Sequence, residues 1–209
     1  LECVSPAIDP GAVTVEVSNN GKDFTDDKVI FTAFGPPVVW NIEPSLGPRS
    51  GGTPVVVRGQ HLTFGDNLLC RFDRITVQAT ILDTETIECA VPENQRGGVV
   101  EFSVSTNSID YSREAVTYSY IDPPKVASVV PTSGSSFGGD TLHVRGEGFF
   151  PTNRLACKFV GTDNMPRLEV PATFVSENEI TCETPEWRRG GITLIETTLN
   201  GIDFSASGV

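Results

Sequence analysis

Residues 141–146, TLHVRG, alternate strictly: Leu142 and Val144 fall on one side, and Thr141, His143 and Arg145 on the other. PVVVRG at 54–59 repeats the scheme with Val55 and Val57 inward, VVEFSVST places Val100, Phe102 and Val104 on one face, and AVTYSY does the same with Val116, Tyr118 and Tyr120. Alternation of this kind predicts half-buried antiparallel strands, because successive side chains of a strand point to opposite faces. Turn signals separate the runs at roughly 8–12-residue spacing, which predicts sandwiches of about seven short strands. No stretch shows a helical period. The expected fold is all-β, built from tandem immunoglobulin-like sandwiches.

The patterned segments recur. RSGGTPVVVRGQHL (49–62) aligns with SFGGDTLHVRGEGF (136–149) and LLCRF (68–72) with LACKF (155–159), both at an offset of 87. IECAVP (87–92) aligns with ITCETP (180–185), and NSIDYS (107–112) with NGIDFS (200–205), at an offset of 93. The change places an insertion of six residues around GTDNMPRL (161–168). LECVSP at 1–6 and NGKDFT at 20–25 match the later parts of the same unit. Residues 1–34 are therefore expected to be the C-terminal part of a truncated module, ahead of complete modules at 36–121 and 123–209.

The repeat gives the cysteines partners. Cys70 is expected to pair with Cys89 and Cys157 with Cys182, while Cys3 occupies the place of the second cysteine of a pair whose first lies upstream. The alternative at Cys3 is a free or intermolecular thiol. Paired cysteines persist in oxidising compartments, so the chain is expected outside the cell or on its surface; buried reduced thiols of a cytosolic protein are the rival. No apolar run approaches the roughly 18 residues that cross a bilayer. A secretion signal, if there is one, lies outside this chain.

Composition narrows the partners. A net charge of −12, with 15 dispersed Lys and Arg, argues against nucleic acid and against an anionic membrane surface. The junctions FGPPVV (34–39) and IDPPKV (121–126) each carry a Pro-Pro pair, which restrains the chain on both sides of the bond. Such links predict a stiff rod that each module lengthens by about 35–45 Å.

PSLGPRSGGTPVVVRGQHL and PTSGSSFGGDTLHVRGEGF, each followed by C-x-F and then C-x-x-P, resemble the IPT/TIG domain across essentially the whole chain. The resemblance implies an immunoglobulin-like fold of the kind found in tandem in plexins and in other large cell-surface proteins. It also implies a non-catalytic structural or adhesive role, a rigid spacer and protein-contact surface in a cell-surface or filament-forming, mastigoneme-like protein. The alternatives are a plexin-like receptor stalk and an accessory module of a carbohydrate-active enzyme. The partners implied are other protein modules or copies of the same protein.

Catalytic groups do not converge. His61 and His143 lie in different modules, the serines lack a nearby base, and C-x-x-C and H-E-x-x-H spacings are absent. No cofactor is expected. Asp23, Asp26, Asp27 and Asp122 are oxygen ligands without a calcium-loop pattern. Trp187, beside Arg188 and Arg189 in PEWRRGG, is a candidate contact for a protein or a sugar ring, against a simpler role covering a corner of its own module. Trp40, just past a Pro-Pro junction, is expected to pack on the preceding module. No N-x-[ST] sequon occurs, so glycans, where present, are O-linked.

Overall fold

The computed structural model describes residues 2–65, 67–114, 116–161, 167–187 and 191–206. Every regular element among them is a strand. The leading segment holds a hairpin of β1 (Gly11–Val15) and β2 (Val29–Ala33). The first module contains β3 (Val38–Glu43), β4 (Leu46–Pro48), β5 (Pro54–Gln60), β6 (Leu69–Phe72), β7 (Ile75–Ile81), β8 (Thr86–Ala90), β9 (Gly98–Ser105) and β10 (Val116–Ile121). The second contains β11 (Lys125–Val130), β12 (Thr141–Glu147), β13 (Ala156–Gly161), β14 (Arg167–Ser176), β15 (Glu179–Glu183) and β16 (Thr193–Thr198).

In the first module the strand order is β3-β5-β8-β7-β6-β9-β10-β4. The sheet folds over at β7, whose residues 75–78 pair with β6 and 79–81 with β8. β3 then meets β9 and β10 across the core. β14 makes the same switch in the second module, pairing with β13 up to Pro171 and with β15 from Ala172. The order there is β11-β12-β15-β14-β13-β16. Among the described residues no strand occupies 133–135, the counterpart of β4; the counterpart of β10 would begin at 209, outside them.

The alternation is reproduced at atomic level. Val55, Val57, Val104 and Val144 have no solvent exposure, and Leu142, Phe102, Tyr118 and Tyr120 are buried with them. Phe72 meets Phe102 and Tyr118 edge-on, with ring centroids 5.0 and 5.5 Å apart, a favoured aromatic geometry. Two disulfides staple the layers, Cys70–Cys89 and Cys157–Cys182, each with a Cα separation of 6.4 Å. Gly59 and Gly146 are needed for close approach, since a Cβ at either would strike the carbonyl oxygen of Val38 or Lys125.

Candidate functional site: the joint between the modules

The motif N-x-x-D-aromatic-S/T is a turn built three times in the same way. The Asn side-chain oxygen accepts from the amides two and three residues on: Lys22 and Asp23 at 2.9 Å, Ile109 and Asp110 at 3.0 and 2.8 Å, Ile202 and Asp203 at 2.9 and 2.8 Å. Its Nδ2 donates to the Asp at 2.6, 2.9 and 2.6 Å. The second position is left-handed, with φ of 71° at Gly21, 66° at Ser108 and 78° at Gly201, which favours the small residues found there. The closing hydroxyl accepts a backbone amide: Thr25 from Val17, Ser112 from Val104 and Ser205 from Thr197. The aromatic lies under a cation in the two modules, Tyr111 3.7 Å from Arg71 and Phe204 3.9 Å from Lys158.

In the second module this turn is inserted into the first. Asn200 Nδ2 also donates to the Leu46 carbonyl at 3.0 Å, and Asp203 accepts from the Thr53 hydroxyl at 2.8 Å. Leu46 and Ile121 of the first module pack against the core of the second. Gly47 leaves room for the assembly, because a Cβ there would collide with the Tyr118 hydroxyl and lie 2.7 Å from Thr53 Oγ1. Burial drives the Tyr118 phenol far above its ordinary range, and the Asp203 carboxylate across the joint pushes the same way. Tyr120, whose hydroxyl donates to the Pro92 carbonyl at 2.9 Å, is pushed up to about 12 by burial.

On the rim, Arg154 of the second module meets Glu43 of the first at 2.5 Å. That contact holds the Glu43 carboxyl below the usual carboxylate range. Both side chains are about half exposed, so the pair steers orientation more than it adds stability. Only residues 122–124 separate β10 from β11, and Asp122 is tied back to Arg49 at 3.2 Å. The linker has almost no freedom to spend.

The sequence-derived candidates divide. Both expected disulfides form, and Cys3 is exposed without a partner. Trp187 packs against the core of its own module, and its buried Nε1 has no hydrogen-bond partner. Arg188 and Arg189 lie outside the described residues, as do 162–166 of the insertion. Trp40 is 54% exposed, beside a bulge in β3 between Val39 and Asn41 that shifts the register. The contact from the linker is made by Phe34, stacked 5.7 Å from Phe64, with His61 hydrogen-bonded to the Pro36 carbonyl. His143 is an exposed partner of Glu179 at 2.8 Å. Asp23 is occupied by Asn20. Sequence reasoning used Asn200 and Asp203 as alignment markers and missed them as joint residues.

Two disulfide-closed immunoglobulin-like sandwiches locked end to end through a polar turn define a tandem modular protein. The chain belongs to the IPT/TIG domain family, whose model matches residues 37–120 and 124–208. It is 23% identical to human plexin-A3 over 187 residues, 88% of this chain and 10% of that protein. The full extracellular region of plexin A4 superposes with a TM-score of 0.60 at 16% identity, over 92% of this chain and 17% of the other. The chain thus spans a small part of each.

Proposed function

We propose that this chain is a non-catalytic segment of an extracellular protein, whose modules act as rigid spacers and carry protein-contact surfaces. The joint carries the reading: a three-residue linker, a docked Asn-Asp turn and shared apolar packing fix one module on the next. Disulfides in both modules support an oxidising compartment. The likeness to plexin ectodomains favours a receptor stalk over a filament.

Small-angle scattering tests it. The intact chain should fit a single extended arrangement of the two modules. Inserting six Gly and Ser residues between Asp122 and Pro123 should broaden the distance distribution while both modules stay folded. An intact chain that already scatters as a freely articulated pair would refute the spacer role.

A further inference from the structure

The docked turn carries a reactive pair. Asn200 is followed by Gly201, and Asn-Gly is the dipeptide at which an asparagine side chain reacts most readily with its own backbone. Glycine puts no side chain beside the attacking amide nitrogen and leaves the bond free to turn. The reaction needs the Asn side chain to swing its Cγ onto the nitrogen of the next residue. Here both polar atoms of that side chain are engaged. The oxygen accepts from the Ile202 and Asp203 amides, and Nδ2 donates to Asp203 and to the Leu46 carbonyl of the first module. The Gly201 amide donates to the Thr198 hydroxyl at 2.9 Å.

The bonds within the turn are not special to it, since Asn107 makes the same ones to Ile109 and Asp110. What sets Asn200 apart comes from the neighbouring module: the bond to Leu46, and burial to 6% exposure where Asn107 is exposed. Gly201 itself remains exposed. The attacking nitrogen is therefore within reach of solvent base, while the side chain it would attack is clamped under the joint.

We propose that Asn200-Gly201 is a self-modification site guarded by the joint. The closed joint suppresses deamidation; an opened joint admits it and then cannot close again. In the reaction the Gly201 nitrogen gives its proton to hydroxide and bonds to Asn200 Cγ. The bond from Cγ to Nδ2 breaks, and Nδ2 leaves as ammonia. One water opens the resulting succinimide ring, giving aspartate or isoaspartate at position 200. No electrons change hands. The product has an acceptor where Nδ2 donated, facing the Leu46 carbonyl and the Asp203 carboxylate, which are acceptors themselves. Isoaspartate also routes the main chain through the former side chain, which removes the cage that holds the turn. Opening of the joint thus leaves a covalent mark. This inference deepens the spacer reading and rests on the joint described there.

The test compares the intact chain with an open-joint variant, incubated side by side in mildly alkaline buffer. The variant carries Thr53→Val and the Gly-Ser insertion between Asp122 and Pro123, neither of which alters a residue of the turn. Peptide mapping for aspartate and isoaspartate at position 200 should show the reaction at least about tenfold faster in the variant, the factor that the bond from Thr53 to the charged Asp203 supplies. Gly201→Ser in the variant should slow it again, and Ser108, at φ 66°, shows that the turn accepts serine there. As a second measurement, Asn200→Asp makes one product directly. It should abolish the fixed orientation of the modules in residual dipolar couplings, whereas Asn107→Asp should leave that orientation unchanged.

Equal rates in the intact chain and the variant would overturn the proposal, and so would unchanged couplings in Asn200→Asp. Scattering of the intact chain separates this from failure of the spacer reading. A single extended arrangement with equal rates overturns the guard alone; an articulated pair overturns the spacer role and the guard with it.

Discussion

Asp203→Ala should loosen the joint, and Asp110→Ala is its internal control. The two carboxylates occupy the same turn position and accept from the preceding Asn Nδ2, at 2.6 and 2.9 Å. Truncating either removes that bond and weakens its own turn to a similar degree. Only Asp203 has a further partner in the neighbouring module, the Thr53 hydroxyl at 2.8 Å. A hydrogen bond to a charged group contributes about 1.5–3 kcal/mol. Asp203→Ala should therefore cost that much more than Asp110→Ala, as a docking constant lowered by at least about tenfold.

Each module carries one tryptophan, Trp40 and Trp187, so Trp→Phe variants let urea unfolding be followed module by module. A double-mutant cycle of Asp203→Ala with Thr53→Val isolates the contact, and neighbouring residues of this kind couple by about 0.5–3 kcal/mol. Residual dipolar couplings would report the orientation of the modules directly. Equal costs for the two Asp variants, with zero coupling to Thr53, would show that the turn is structural in both modules and that the joint is held elsewhere.

Replacing Cys70 and Cys89 by alanine should lower the stability of the first module by about 3 kcal/mol, since the bond closes a loop of 19 residues. Trp40 should report the loss and Trp187 should not. Alkali should unfold the first module before the second, which contains no tyrosine. The buried Tyr118 and Tyr120 have folded pKa values raised above the ordinary value of 10.0. Their contribution is intact below about pH 10 and is lost as the pH climbs toward the folded values, by up to about 1.4 kcal/mol per pH unit for each tyrosine. Simultaneous unfolding of both modules across that window would count against it. Gly59→Ala should destabilise the first module by about 1–3 kcal/mol, because the new methyl group meets the Val38 carbonyl; an unchanged urea midpoint would contradict that close approach.

What the sequence disclosed was what depends on neighbours along the chain. Period-two runs located Val55, Val57, Leu142 and Val144 in the cores, and the repeat paired four cysteines. Features decided by contacts across the fold stayed hidden. The bulge at Val39–Asn41, beside Trp40, is an irregularity in pairing with β5, with no residue signature of its own. β4 has three residues inside a Pro- and Gly-rich stretch, and only its parallel pairing with β10 makes it a strand. Asn107 and Asn200 are equivalent in their local bonds, so nothing local distinguishes the free turn from the docked one. The signal was the threefold recurrence of a polar motif whose carboxylate exceeds what a turn needs.

The joint also shows how a few polar contacts can set the geometry of a whole segment. Two hydrogen bonds, a rim ion pair and two apolar residues would hold separate proteins together weakly, since association carries a large entropic cost. Here that cost is removed by the linker. Residues 122–124 confine the second module beside the first, and a short tether acts as a high effective concentration. The contacts at Leu46, Thr53 and Glu43 then need only select one orientation among the few allowed. Polar contacts suit that task better than a larger apolar patch, because hydrogen bonds are directional and a misaligned turn would leave the Thr53 hydroxyl without its partner across the joint. The proposed stiffness would thus be a joint property of the proline pair and the turn.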